Sequence, residues 1–511
     1  MPFHSILFDE SESSTALNGQ EAPECFTDLN LDQIVAAITA GREEYNLTPF
    51  FYTPLSRVET INYRHGILRD FENPALFGHI RSFAQKMRAM RKHLAQAENL
   101  DYKYQKERWF LEAVDIYCDV VGCLAHDLTL TDLRSPGFRA LREYLTCNTQ
   151  SPEFVSLLAE TQALRDDLST VRYCLHIKGK RVKVSRYDSE SDYGAEVLYA
   201  FEKFKQGAAK DYRFNVYNGP DMNHVEAAVL DLVARLYPDV FSSLDQYCQR
   251  HGNYLDDTIG RFDREVQFYV ACIEHIERLR ATGLPFCYST VTDRSKEVYG
   301  REVFDLALAN KLAHEGAPLV TNDFYLKDPE RIFIVSGANQ GGKTTFARTF
   351  GQLHYLASIG CPVPGREARL YLFDGLFTHF EREEDLRNLS GRLEDDLLRI
   401  HGILRRATSN SILIMNECFS STTLSDALFL SKQLMQRIIE RDMLCVSVTF
   451  LDELASLSES TINMVATVDL QTPALRTFKI VRKPADGLAY AVAIAEKYHL
   501  TYKSIMERIV P

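Results

Sequence analysis

Apolar residues are spaced in two different ways along this chain, and the change of spacing divides it. From about residue 31 to 170 they recur at helical intervals with few breakers. Residues 75 to 98 are rich in Ala, Leu, Met, Lys and Arg, and Trp109, Phe110, Val114 and Cys118 continue the helical spacing. Ser135-Pro136-Gly137 and Ser151-Pro152 punctuate the run. Between about 172 and 220 the period shortens. Tyr173, Leu175 and Ile177 alternate, Lys178-Gly179-Lys180-Arg181 reads as a basic turn, and Val182, Val184 and Tyr187 follow, which predicts a β-hairpin inserted between helices. Helix returns after Asn218-Gly219-Pro220 and runs with breaks to about 283, with Val266, Tyr269, Val270, Ile273 and Ile276 as its apolar stripe. From about 300 short apolar runs alternate with helical segments, an α/β texture, with strands predicted over 332–336, 370–373, 411–415 and 443–449. Residues 1 to 30, polar and mixed from 9 onward with Glu10-Ser11-Glu12-Ser13-Ser14, are expected to form a flexible N-terminal segment.

The first of those predicted strands ends in a recognisable loop. Residues 337–344 read Gly-Ala-Asn-Gln-Gly-Gly-Lys-Thr, which fits G-x-x-x-x-G-K-[ST]. Ile332 to Ser336 have strand composition, and Phe346, Phe350, Leu353 and Ala357 fall on one face of a following helix. Gly337, Gly341 and Gly342 let the backbone curl, so that N–H groups from Ala338, Asn339, Gln340 and Thr345 can converge on phosphate oxygens. Lys343 is then placed to reach the β- and γ-phosphates, and the Thr344 hydroxyl to bind Mg²⁺. The implied ligand is ATP or GTP.

Hydrolysis needs an acidic group at the end of a neighbouring strand. Ser411-Ile412-Leu413-Ile414-Met415-Asn416-Glu417 supplies a buried run followed by a polar pair, about 70 residues after the loop. Asn416 stands where most ATPases of this layout carry aspartate, and Glu417 is the candidate for orienting water.

Composition narrows the picture further. The chain has 511 residues, 45% hydrophobic and 25% charged, enough for two to four domains of ordinary globular character. It has no apolar run of 18 residues, and its start lacks the pattern of a secretory leader. The 11 cysteines are scattered singly with no C-x-x-C, so buried thiols in a reducing cytoplasm are expected and a zinc site is not. A net charge of −12 excludes a wholly basic nucleic-acid-binding surface, though not a local one. The hairpin offers such a patch: Lys178, Lys180, Arg181, Lys183 and Arg186 fall within nine residues. Lys203, Lys205, Lys210 and Arg213 follow, with Tyr173, Tyr187, Tyr212 and Phe214 interleaved. The patch suits phosphate contacts without base readout, and equally a solvated hairpin whose charges keep its edges from pairing.

Several segments, in order, make the C-terminal 200 residues resemble the ATPase domain of the MutS DNA mismatch-repair family. These are Val320-Thr321-Asn322-Asp323, then Ser336 to Thr345, then Leu376-Phe377-Thr378 with Glu384-Asp385-Leu386. Thr422 and Asp426 follow Glu417, and Gly487 to Ala493 reads Gly-Leu-Ala-Tyr-Ala-Val-Ala. Upstream, Thr53-Pro54-Leu55 and Ile61-Asn62-Tyr63-Arg64 resemble the start of the MutS core domain, whose helices form a lever carrying a DNA clamp. The resemblance implies an α/β P-loop (ABC-type) ATPase domain over 301–511. Before it would come a mostly α-helical core or lever domain over 31–300, with a small β-containing clamp insertion at about 172–220. It implies ATP and Mg²⁺ as cofactors, double-stranded or structured DNA as partner, and a homodimer formed through the ATPase domains.

Four departures set expectations for this chain. There is no room before the core for mismatch-recognition and connector domains, and Phe8-Asp9-Glu10 reads as an incidental tail tripeptide. Asn416 should hold the Mg²⁺ shell less strongly than aspartate. Thr449-Phe450 stands in place of the family's Thr-His pair, removing a polar group that senses the γ-phosphate. The serine that reaches a partner's nucleotide has Ser390, Gly391 and Arg392 as nearest candidates. The expected function is therefore a DNA-binding ATPase whose nucleotide state controls a clamp, in repair or recombination. The alternative is a nucleotide-gated DNA-binding or scaffold protein with little turnover.

Overall fold

The computed structural model describes residues 3–9, 21–189, 222–381, 391–468, 476–484 and 506. It divides into two compact units. One comprises Met1–Phe3, Asp70–Arg134 and Phe138–Asp263, and the other His4–Arg69, Ser135–Gly137 and Arg264–Pro511. The sequence suggests a boundary near residue 300, whereas the compact units interleave, with helical residues 58–69 and 264–280 falling with the α/β sheets.

The first unit is built on a long helical hairpin, Pro74–Asn99 followed by Lys103–Leu130. Leu76, Ile80, Phe83, Met87 and Met90 recur on one face of the first helix and are buried. Leu111, Val114, Tyr117, Cys118 and Val121 do the same in the second. Proline starts these helices rather than interrupting them, since its missing N–H is not needed at the first position. Pro74 follows an Asn73 cap, Pro152 follows a Ser151 cap that accepts from Phe154 N at 3.2 Å, and Pro238 opens Pro238–Arg250. Asn223 and Glu226 close a reciprocal capping box on His224–Leu236.

From this helical body rises the predicted hairpin, Tyr173–Lys178 paired antiparallel with Arg181–Arg186. Gly179 opens its two-residue turn at φ 61°, the left-handed conformation that such turns demand. Residues 190–221, including Lys203, Lys205, Lys210 and Arg213, lie outside the described residues.

The second unit holds a six-stranded sheet. Its order is Leu376–His379, Ile412–Asn416, Leu444–Val448, Ile332–Gly337, Thr461–Val468 and Arg476–Arg482, parallel except for the last strand. Three of the predicted strands are its centre. The fourth, at 370–373, is instead Glu367–Tyr371 in a separate four-stranded sheet with Thr290–Thr292, Val298–Val303 and Asn322–Leu326. The helix Lys343–Ser358 packs on both sheets and is buried on nearly every side, as expected of a helix enclosed between layers.

The expectation of a flexible segment over 1–30 does not hold for its described parts. Ile6, Leu7 and Phe8 are buried, and Cys25–Leu29 is a helix with Cys25, Phe26 and Leu29 buried. Ser5 Oγ donates to Glu265 Oε2 at 2.7 Å, and Tyr269 OH donates to Ile6 O at 2.8 Å. The wholly buried Arg64 donates to Leu7 O (3.0 Å) and Ile359 O (2.7 Å), with its guanidinium 5.0 Å from the Phe8 ring centre. Three apolar residues in a row were enough to bind this stretch to the core, against the polar average of the segment. Phe8 is therefore a core residue and not part of a loose tail; Glu10 lies outside the described residues.

Candidate nucleotide site

The strand Ile332–Gly337 is buried along its length and delivers the chain to the loop. Gly337 sits at φ 101°, and a Cβ there would lie 2.8 Å from Ala466 O. At Gly341 a Cβ would meet Ala338 O at 2.8 Å, and Gly342 is again left-handed at φ 93°. Gln340 takes φ 59° without being glycine, which places a strained residue at the tip of the loop. Gly342 caps the helix Lys343–Ser358 with no side-chain acceptor. The first N–H groups of that helix are thus left to an anion, at the positive end of its dipole. The loop and its helix end fit a chain of phosphates.

Lys343 is buried, and its Nζ donates to Gly337 O at 2.8 Å and Asn339 Oδ1 at 3.2 Å. Burial holds its pKa below the ordinary lysine value, Glu417 and Asp452 pull it back up, and Arg476 pushes it down. Thr344 Oγ1 donates to Asn416 Oδ1 at 2.9 Å. The two predicted magnesium residues are therefore in contact. Their oxygens, with Glu417 next in sequence, suit a hard cation held mainly by phosphate and water, though the pair itself carries no charge. Glu417 turns at φ 53° just past its strand, and its N–H donates to Val448 O at 2.9 Å.

Two further residues belong to this site that the sequence reading left out. Asp452 starts a 3₁₀ turn, Asp452–Ser456, just beyond the strand Leu444–Val448. That strand lies between the loop strand and the Asn416 strand, so Asp452 follows the central edge of the site. No motif marks it; only its offset from Thr449-Phe450 hints at it. Arg476 Nε donates to Asn339 O at 3.0 Å and ties the edge strand to the loop. Thr449 keeps its hydroxyl engaged with Leu451 N at 3.0 Å, while Phe450 is 54% exposed and offers no polar group.

The other motif residues serve structure. Asn322 donates to Phe478 O (3.2 Å) and accepts from Ile480 N (2.7 Å), fixing the edge strand. Asp323 accepts from Glu302 N at 2.6 Å. Asp426 completes the cap that Thr423 places on Leu424–Glu440. Arg392 is paired with Glu381, and Gly391 caps Arg392–Arg406. Ser390, Glu384-Asp385-Leu386 and Gly487 to Ala493 lie outside the described residues.

Residues 333–508 match the family described as MutS domain V. The DNA mismatch repair protein MSH3 of Eremothecium gossypii is 32% identical over 137 residues, 27% of this chain and 13% of that protein. Residues 333–508 are thus a MutS-family domain. The DNA mismatch repair protein MutS of Thermotoga neapolitana is 24% identical over 262 residues, 50% of this chain and 30% of that one. Endonuclease MutS2 of Gemmatimonas aurantiaca is 28% identical over 193 residues, 37% of this chain and 23% of that one. The chain thus spans less than a third of each of these relatives. MutS domain V is a P-loop ATPase domain, and here it is preceded by a mostly helical part. Among the described residues no helix is long and apolar enough to cross a membrane.

The hairpin's register sorts the five candidate DNA contacts of this MutS relative. Paired positions share a face, so Lys178, Arg181 and Lys183 lie together with His176, and Lys180 is at the turn. Arg186 is on the opposite face, donates to Leu236 O and covers the Tyr237 ring at 4.9 Å. It anchors the base of the hairpin.

Proposed function

We propose that this chain is a MutS-family ATPase that binds DNA and changes its grip with nucleotide state. The observation that carries the reading is the contact of Thr344 with Asn416 beside Glu417, at a helix N-terminus that no side chain caps among the described residues. The backbone amides of Gly342 to Thr345 hold the phosphates, and Lys343 exchanges Gly337 O and Asn339 for a phosphate oxygen. Bound Mg²⁺ would neutralise charge that builds on the phosphates, held by Thr344 and, through its amide oxygen, Asn416. Glu417 orients the attacking water, with Asp452 as a second carboxylate at the same end of the sheet. The basic face of the hairpin meets the phosphate backbone and positions the protein without reading bases. A homodimer formed through the ATPase domains, acting in the cytoplasm in repair or recombination, completes the reading.

A second reading is favoured by two specific residues. Asn416 and Phe450 each remove a polar or charged group from the hydrolytic end, which suits a nucleotide-gated DNA binder with little turnover. Steady-state ATPase rates with and without DNA, together with gel shifts on plain, mismatched and branched duplexes, separate the two. DNA-stimulated turnover supports the first, binding without turnover the second, and no DNA affinity at low salt removes both.

A further inference from the structure

A pocket of about 1010 Å³ opens in the helical unit, between the end of Pro74–Asn99, the start of Lys103–Leu130 and the loop 252–257. Its floor includes Glu107, which is only 8% exposed. Glu107 Oε1 lies 3.7 Å from Lys103 Nζ, but that ammonium is closer to Asp245, at 3.0 Å. Among the described residues Glu107 Oε2 has no hydrogen-bond partner, and the carboxyl's other neighbours are Lys103 and Asp245. A buried carboxyl oxygen without a donor is costly and points to a partner other than the described residues. The walls are apolar and aromatic, with Leu94, Ala97 and the rings of Phe110 and Tyr254 set edge to face at 5.6 Å. At the rim stand the exposed Glu98 and Asp257, and the half-buried Asp256 also lines the pocket; Lys106 is the one cation among the lining residues.

That arrangement rejects anions and leaves a neutral apolar ligand facing an unsatisfied carboxyl. It matches a cation on a greasy stem, with one charge for the floor and another for the rim, passing two aromatic faces. We propose that this pocket binds a linear aliphatic diamine or polyamine, with Glu107 as its anchoring carboxylate. Burial, with Asp245 adding and Lys103 opposing, places the Glu107 titration at about 7. Cys248 is pushed up to about 12 by burial, Tyr254 is pushed up as well, and both stay neutral. Binding therefore strengthens from pH 6 to pH 8 as Glu107 ionises.

Calorimetry on the full chain with spermidine, 1,5-diaminopentane and hexylamine at both pH values tests this. Saturable one-to-one binding of the two multivalent amines is expected, tighter at pH 8. Glu107→Gln should weaken it about tenfold or more, the loss of a charge-assisted contact, and Phe110→Leu by a smaller factor at unchanged melting temperature. Absence of saturable binding below about 10 mM, a range weaker than any specific contact set of this size, overturns the proposal. So does Glu107→Gln binding as well as wild type, or hexylamine equalling the diamine.

Discussion

At Asn416 the exchange of one oxygen for one nitrogen removes a full charge from the group that faces the Thr344 hydroxyl. The contact survives, at 2.9 Å, because an amide oxygen accepts as a carboxylate would. What is lost is the electrostatic hold on a divalent ion, about 1–2 kcal/mol for a charge-assisted contact of this kind. Asn416→Asp should therefore lower the Mg²⁺ concentration for half-maximal turnover and raise the rate about tenfold. Phosphate release titrated with Mg²⁺ measures both, and unchanged curves would remove Asn416 as the cause of any slowness. Asp452→Asn is expected to reduce turnover by an order of magnitude or more, as for removal of a catalytic polar group, while leaving fluorescent-nucleotide affinity nearly unchanged. Loss of affinity in proportion would make Asp452 a partner of Lys343 alone. The loop and its lysine were legible in the sequence because glycines at that spacing have few other readings, whereas the Asn416-Glu417 run alone reads as a buried strand end and drew meaning only from lying about 70 residues after the loop. Asp452 was not, since a lone acid after a strand carries no periodicity, and only the strand order brings it to the site.

The hairpin shows what an element adds to its residues. Five cations within nine positions look alike in a sequence, yet pairing of Lys178 with Arg181 and His176 with Lys183 places one set on one face. Arg186, paired with Tyr173, goes to the other and is held by Leu236 O. Changing Lys178, Arg181 and Lys183 together to Ala should weaken DNA binding for every sequence. The slope of log K against log salt should shrink by about 0.9 for each phosphate contact removed. Arg186→Ala should leave that slope alone and loosen the hairpin base instead. Filter binding across a salt series decides it, and equal slopes for wild type and triple variant would end the clamp reading. Alternation and the Gly179 turn made this element readable. The four-stranded sheet escaped because its strands are three to six residues long and drawn from distant segments, so no local pattern announces it.

Taken whole, the molecule responds to pH in two directions. In the helical unit, burial raises Glu107 from 4.5 to about 7, so the native state holds a proton that the unfolded chain releases. Its stabilisation is complete below pH 4.5 and is lost as pH rises through 7, about 1–2 kcal/mol after allowance for screening. In the sheet-bearing unit, burial lowers His65, His275 and His354 to about 4, with Arg69 and Arg278 assisting at the first two. Those imidazoles are neutral in the native state, so that unit is stable above pH 6.5 and weakens as pH falls toward 4. Peptide-resolved hydrogen exchange at pH 5, 6.5 and 8, corrected for intrinsic rates, should show protection moving oppositely in the two units. Glu107→Gln should cancel the alkaline loss, and parallel behaviour of both units would contradict the assignment. The interleaved division was beyond a linear reading, because segments about 200 residues apart make one core.

The enclosure of Lys343–Ser358 has a mechanical side. Sixteen residues of helix make a strut of about 24 Å, too tightly held to bend. Its phosphate end begins at Gly342, and its far end at Ile359 is grasped by Arg64, which also grasps Leu7. Any displacement of the strut would reach residues 4–9 through Arg64, so the strap and the loop hang on one rigid element.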